Sequence, residues 1–271
     1  MNARQRWHAV THFQTFDHAP DEEFGYWTDT LHRWHDEGLP AWVTDNALAD
    51  RYFNFEPRAM VPINVGLTPG FDPHIVEQTD TYTVSVDSTG VKSISYTDGS
   101  SSIPKYLEFP LRDRSTWEAD FVPRLDPATA HRYPDWQQTL TLHEHATRQI
   151  PLGVSTGSLF GWLRNWAGFE GVSLLVYDDP ALVEEAIEKL CVLISTVIDS
   201  VPAELELDFA HGWEDMCFNH GPIISPTYFE NWMVPRYARI TQVLKSKGVD
   251  VVIVDCDGDI SQLVPLWLDG E

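Results

Sequence analysis

Three carboxylates surround a glycine after the last apolar run of the chain, in Asp255-Cys256-Asp257-Gly258-Asp259. If strand geometry continues this far, Asp255 and Asp257 face the same way, because successive side chains of a strand alternate between its faces. Two such carboxylates can hold a cation or share a proton. We therefore predict catalytic and metal-binding roles for Asp255 and Asp257. The alternative is a turn with a capping aspartate, which we favour for Asp259.

A second set of titratable side chains follows Glu204–Phe209, which we predict to be a strand. His211, Glu214 and Asp215 come after it, and catalytic groups of parallel barrels lie at the carboxyl ends of strands. We predict acid–base or substrate-orienting roles for these three residues and a substrate-binding role for Asp208. Structural roles compete with this interpretation, since such carboxylates commonly pair with loops and a single histidine is commonly a hydrogen-bonded structural group.

The remaining candidates are substrate-binding residues near predicted loops. Ser158 follows a predicted strand at Ile150–Ser155, while Tyr26, Trp27 and Trp162 offer aromatic surface for an apolar or cationic ligand, such as a methylated amine or a methoxy aromatic ring. The chain contains 11 tryptophans, so ordinary core packing is the competing explanation for each of them.

The second half of the chain, 150–271, contains the clearest strand–helix units. We predict strands at 151–155, 204–209 and 250–254 that are parallel neighbours in one sheet, the last buried on both faces. Asp179-Pro180 opens a helix between the first two strands, and Ser225-Pro226 opens another, kinked at Pro235 and ending near Gly248. A short helix is expected at Ile260–Leu268. Both a barrel and a doubly wound sheet fit this order, and no glycine-rich phosphate loop favours a nucleotide-binding sheet.

The first half has a different pattern. Helices are predicted over Asn2–Phe16 and from Thr28 to Gly38. Alternating apolar residues between Tyr82 and Tyr96 flank a four-residue turn, which is typical of a β-hairpin. A hairpin is not part of a barrel unit, so we assign 50–127 to an irregular lobe inserted in one domain that spans 1–271.

Composition excludes several classes of partner. The formal net charge of −23 disfavours nucleic acid, because binding to a phosphate backbone depends on clustered Lys and Arg. No apolar stretch is long enough to span a membrane, and no secretory signal is recognised. The three cysteines are scattered without metal-binding spacing, so we expect reduced thiols in the cytoplasm. The expected substrate is a small molecule.

Several short segments together resemble one superfamily over essentially the whole chain. They are Phe24-Gly25-Tyr26-Trp27, Glu37-Gly38-Leu39-Pro40, Asp178-Asp179-Pro180, Trp213-Glu214-Asp215-Met216, Gly221-Pro222-Ile223-Ile224-Ser225-Pro226 and Asp257-Gly258-Asp259. The combination is similar to the uroporphyrinogen-decarboxylase superfamily, which includes tetrapyrrole decarboxylases and cobalamin-linked methyltransferases. The resemblance implies an α/β fold of the (β/α)8 TIM-barrel type.

Two departures bear on the function that the resemblance implies. The decarboxylases have an Arg-rich N-terminal loop that clamps substrate carboxylates, whereas the matching segment here is Asp21-Glu22-Glu23. The methyltransferases bind zinc through a His-x-Cys pair, and the matching segment is Asp255-Cys256-Asp257. We expect a divergent member closer to the methyltransferase branch, with a divalent metal such as zinc or a corrinoid as the candidate cofactors. Decarboxylation of a tetrapyrrole or smaller acid, and a non-catalytic ligand-binding barrel, are the alternatives.

The resemblance also implies further strands after Leu268, so we expect a barrel that is truncated at its C-terminus. An incomplete barrel exposes a strand edge, and an exposed edge favours pairing with another chain. The expected macromolecular partners are therefore a second copy or a corrinoid protein.

Overall fold

Three helices form the first part of the chain in the computed structural model, which describes residues 1–97 and 103–270. They are α1 (Ala3–Thr11), α2 (Thr28–Asp36) and α3 (Asn46–Phe53). Asn2 caps α1, since its side chain accepts the N–H of Gln5 at 2.8 Å. Helix α1 ends before the predicted Phe16, because Phe13 has a left-handed φ of +54° and is 98% exposed.

The predicted hairpin is confirmed and belongs to a larger antiparallel sheet. A short strand, β1 (Ala59–Met60), comes first, followed by β2 (His74–Gln78), β3 (Tyr82–Val86), β4 (Lys92–Tyr96) and β5 (Lys105–Glu108). Strands β3 and β4 pair with Val84 opposite Ile94. We call the sheet of β2 to β5 the antiparallel lobe. Strand β1 lies within the range assigned to the inserted lobe but joins the parallel sheet instead.

Short helical segments lead from the lobe back to the parallel sheet. They are α4 (Arg114–Thr116), a π-helical turn at Trp117–Phe121, 3-10 turns at Val122–Leu125 and Ala130–Arg132, and α5 (Trp136–Leu142). Arg132 is fully buried, and its guanidinium donates to the main-chain oxygens of Asp126, Asn64 and Gly66. These bonds fix the loop that follows β1.

The next unit is β6 (Leu152–Gly157), α6 (Phe160–Asp178), α7 (Pro180–Asp199) and β7 (Phe209–Trp213). The predicted helix after Asp179 is confirmed, with that side chain capping α7 through the N–H of Leu182 at 3.0 Å. The predicted strand at 204–209 is wrong, because Ala203–Leu205 forms a 3-10 turn and the strand begins at Phe209. Asp208 therefore precedes the strand instead of following it.

The last unit contains β8 (Cys217–Phe218), β9 (Gly221–Pro222), α8 (Pro226–Tyr228), a π-helical turn at Phe229–Met233, α9 (Val234–Ser246), β10 (Val252–Asp255) and α10 (Val264–Asp269). The expected kink at Pro235 takes the form of this π-helical turn. Proline has no N–H for the helical ladder, so a wider turn ends just before it. Helix α10 begins four residues later than predicted.

Four parallel strands form the central sheet in the order β1-β6-β7-β10. The prediction that the strands after Ile150 are parallel neighbours is confirmed, since β6 pairs with β7 and β7 with β10 in parallel register. The described residues form four such strands, so a complete eight-stranded barrel is not shown. Strand β10 lies at the sheet edge, and the prediction that it is buried on both faces is wrong: Val252 is 42% and Val254 37% exposed.

The two faces of the parallel sheet have different surroundings. Leu152, Val154 and Ala210 are fully buried in the core that contains α6, α7 and α9, and we call their side the back face. By alternation, Phe209 and His211 lie on the other side, the front face. Within the part of the chain that the structure describes, no helix combines the length and apolar character needed to cross a membrane.

Candidate active site

His211 and Asp255 lie on the front face of the parallel sheet, His211 in the middle of β7 and Asp255 at the carboxyl end of β10. In the register of β7 and β10, Ile253 is opposite His211 and Asp255 is opposite Trp213. Since His211, Trp213 and Asp255 are related by steps of two along their strands, all three point to the same face. The side chains of His211 and Asp255 are both half-buried. The structure thus brings together two of the predicted catalytic residues.

The charge state of His211 is set by its surroundings. Burial lowers the pKa of His211 below its ordinary value of 6.5, the positive charge of Arg58 lowers it further, and Asp255 acts in the opposite direction. At neutral pH the imidazole is therefore mainly uncharged and can accept a proton. Arg58 could not be identified from the sequence, because it directly precedes β1, a strand of two residues that is too short to be recognised. Trp213 was identifiable by alternation from His211.

Glu214 lies on the back face, away from His211, and is 2% exposed. Its carboxylate accepts the backbone N–H groups of residues 159, 160 and 161 at 2.8 to 3.0 Å, at the start of α6. It also accepts the hydroxyls of Ser158 at 2.7 Å and Tyr237 at 2.6 Å. Burial raises the pKa of Glu214, and the hydrogen bonds from Leu159, Tyr237, Ser158 and Gly161 oppose that effect. The carboxylate joins β7, α6 and α9, and in this arrangement Ser158 is committed to it.

The rim of the sheet carries the remaining acidic candidates. Asp215 has a left-handed φ of +44°. Arg164 donates from Nη1 to the main-chain oxygen of Asp215 at 2.7 Å and from Nη2 to its carboxylate at 3.3 Å. Asp257 is exposed, and across 1–97 and 103–270 its side chain has no hydrogen-bond or ion-pair partner. Asp259 accepts the N–H of Ser261 at 3.0 Å within a turn, but the predicted helix cap is wrong, because α10 begins at Val264 with Leu263 at its N-cap position.

Asp208 lies at the amino end of β7, opposite to the end that holds Trp213. Its side chain is 1% exposed and pairs with Arg4 at 2.8 Å, His8 at 2.7 Å and Arg148 at 3.1 Å. Burial acts to raise the pKa of Asp208, but the hydrogen bonds from Leu152, Arg4 and His8 outweigh it and lower the pKa. This position corrects the expectation that Asp208 follows a strand beside the other candidates.

The aromatic candidates divide between two apolar clusters. Trp162 packs on the main core, stacked on Trp166 and edge-on to Trp213 at a ring distance of 5.1 Å. Tyr26 belongs instead to the small cluster of α2 and α3, where burial raises its pKa to about 12. Trp27 is 59% exposed just before α2. Trp162 is therefore the aromatic candidate in ring contact with a front-face residue.

The donor set does not fit the expected zinc site. A protein zinc site takes at least three His, Cys, Asp or Glu ligands. Throughout the described ranges, no three side chains of these types are grouped so that they could hold a metal ion. Asp255 and Asp257 thus have no third protein ligand in this part of the chain.

Comparison with known proteins shows a likeness of fold. No protein-family model matches the chain, and no curated protein is significantly similar to it in sequence. Among solved structures, the chain is similar to a methyltransferase from Methanosarcina mazei, with a TM-score of 0.53 and 12% identity. The likeness covers 100% of this chain and 74% of that protein. At this identity it shows the fold alone, a mixed α/β fold around a parallel sheet.

Proposed function

We propose that this protein is an enzyme that transfers a methyl group from a small methylated donor to a thiol or a corrinoid. The observation that carries the proposal is that His211, in the middle of β7, and Asp255, at the carboxyl end of β10, lie on the same face of two neighbouring parallel strands. In parallel α/β enzymes this end of the sheet holds the catalytic groups. The likeness to a methyltransferase and the sequence resemblance to the uroporphyrinogen-decarboxylase superfamily support the same assignment.

The proposed step is a proton-coupled displacement. The acceptor's lone pair forms a new bond to the methyl carbon, and the bond from that carbon to the donor breaks, with its electron pair leaving on the donor. Neutral His211 takes the proton of the acceptor thiol. The carboxylate of Asp255 then stabilises the imidazolium. A corrinoid enters this scheme as an external acceptor or donor of the methyl group.

Decarboxylation of a carboxylic acid is the second candidate, favoured by Arg58. Its guanidinium carbon lies 6.0 Å from the centre of the Phe209 ring on the front face, where it can bind a carboxylate. Glu22 lies 3.5 Å from the same guanidinium and offsets its charge. One partly neutralised arginine supports the binding of several carboxylates less well than the arginine clamp of the decarboxylases.

An assay of methyl products tests the proposal. The protein is incubated with methylcobalamin, a methylamine or a methoxy aromatic compound together with a small thiol, and the methyl thioether is measured by mass spectrometry. We expect His211→Asn to lower the rate by roughly 100-fold or more, as for loss of a general base, and Asp255→Asn to lower it as well. His220→Asn, an exposed histidine in the β8–β9 turn, is the matched control.

Three results would contradict the proposal. If no donor gives a methylated product, methyl transfer is excluded as the function. Release of CO2 from a carboxylic acid would favour the second candidate, decarboxylation. Full activity in His211→Asn would show that the reaction occurs elsewhere.

A further inference from the structure

A groove of about 430 Å³, open to solvent, lies between the antiparallel lobe and helix α6. Residues on the lobe side include Asp87, Tyr106 and Phe109, and those on α6 include Arg164 and Phe169. Arg164 binds Asp215, two residues beyond the end of β7. The groove is therefore linked to the rim of the candidate active site.

The contact between the lobe and α6 depends on a break in the helix. Gly168 has φ +75° and ψ 164°, which are not helical values, in the middle of α6. A Cβ atom at Gly168 would lie 2.5 Å from the ring of Phe109. Glycine permits both the conformation and the approach. The close packing of Phe109 against α6 therefore depends on the glycine at position 168.

Aromatic side chains form the walls of this groove. Tyr106 and Phe109 lie with ring centres 5.8 Å apart on the lobe side. Phe169 faces them from α6 and contacts Phe218 at 5.8 Å. Tyr106 is 53% and Phe169 51% exposed, so both rings keep surface that a flat ligand can cover. Such walls suit an aromatic ring in offset or edge-to-face contact.

The basic side chain that lines the groove is Arg164, whose charge the carboxylate of Asp215 partly offsets. The carboxylate of Asp87 is held in its own turn, because one of its oxygens accepts hydrogen bonds from Thr89 N, Thr89 Oγ1 and Val91 N at 2.6 to 3.1 Å. Arg164 is held by Asp215 and Asn165 through three hydrogen bonds, whereas a guanidinium has five N–H donors. A fixed guanidinium with donors left over binds a carboxylate at little cost in side-chain ordering.

We propose that the groove binds an aryl carboxylate, with the ring between Tyr106, Phe109 and Phe169 and the carboxylate on Arg164. The net charge of −23 does not prevent this, because charges beyond about 8 Å are largely screened at physiological ionic strength while a contacting arginine is not. Resting on the methyl-transfer function proposed above, the inference names a methoxylated aryl carboxylate as the donor class.

Direct binding of 4-methoxybenzoate, measured by titration calorimetry, tests the groove independently of catalysis. Methoxybenzene and 4-methoxybenzylammonium are the neutral and cationic comparators. We expect the carboxylate to bind most tightly, and Arg164→Gln and Phe169→Ala each to weaken it by roughly tenfold. Tyr177→Ala, which removes a 78% exposed ring elsewhere on α6, and Arg33→Gln, which removes an exposed arginine on α2, are the matched controls.

The outcomes separate the two proposals. No binding of 4-methoxybenzoate at millimolar concentration, a preference for the cationic comparator, or unchanged affinity in both groove variants would overturn the groove assignment. Circular dichroism and thermal melts of the variants establish that they are folded. Binding that the variants weaken, without methyl transfer to any thiol, would support the groove and overturn the methyl-transfer function alone.

Discussion

Replacing Glu214 by glutamine tests whether this residue stabilises the fold or takes part in catalysis. In the best arrangement the glutamine oxygen replaces Oε2 and keeps the bonds from Ser158, Phe160 and Gly161. The amide nitrogen then replaces Oε1 and faces the N–H of Leu159, a donor that was 2.8 Å from the carboxylate. The hydroxyl of Tyr237 can rotate to accept from that nitrogen.

These contacts determine how much stability the substitution Glu214→Gln costs. One buried backbone N–H without a partner costs about 1–3 kcal/mol. The bonds that remain lose their charge assistance, about 1 kcal/mol each, while removal of a buried charge offsets part of this. We expect Glu214→Gln to lower the free energy of unfolding by about 2–3 kcal/mol and Tm by roughly 5 °C.

Urea denaturation followed by circular dichroism measures this difference. Glu170→Gln, at an exposed position on the same helix α6, is the control and should change stability by less than about 0.5 kcal/mol. Methyl-transfer activity per folded molecule should persist in Glu214→Gln. An unchanged stability together with a lost reaction would refute the anchoring role and return Glu214 to the catalytic group.

Three further predictions concern charge and packing. Asp208→Asn should destabilise the protein at pH 7, and the difference in stability from wild type should shrink as pH falls below about 4. The pKa of Asp208 is lowered in the folded state, so its stabilisation is present above the unfolded pKa and is lost as pH falls through the folded pKa. Equal urea midpoints of the variant and wild type at pH 7 would contradict this prediction. Arg58→Gln should move the acid limb of the pH–rate profile to higher pH, since Arg58 lowers the pKa of His211, and an unmoved limb would exclude His211 as the titrating base. Gly153→Ala should cost about 1–3 kcal/mol in thermal or urea unfolding, because its Cβ would lie 2.4 Å from the ring of Phe209; a neutral effect would mean that the ring moves freely.

Part of the fold was predictable because local signals agree with tertiary structure. The apolar positions of α7 recur at helical spacing, and Asp179 with Pro180 marks its start. The β3–β4 hairpin alternates around a turn that Asp87 closes. The position of β7 was not predictable from propensity, since Glu204–Asp208 alternates like a strand while the real strand contains Gly212. That glycine is needed because a Cβ there would lie 2.3 Å from Thr156 Oγ1.

The candidate site was harder to predict because it depends on register between strands. Asp255 lies beside Trp213 only through the pairing of β10 with β7, and neither strand carries a sequence signal for that pairing. Arg58 approaches the front face from the position just before a two-residue strand that sequence patterns do not reveal. Residue types alone show which groups can titrate. The pairing of strands determines which of these groups lie close together.

Alternation along β7 explains why neighbouring titratable residues take different roles. His211 and Glu214 are three positions apart, and an odd separation along an extended chain sends their side chains to opposite faces. Beside β7 the back face is covered by helices and Glu214 is 2% exposed, so its carboxylate must be fully hydrogen-bonded, and it accepts five donors. The front face is only half-buried, so His211 keeps access to ligand and solvent. One short strand thereby supplies both an anchor for α6 and α9 and the base of the proposed reaction.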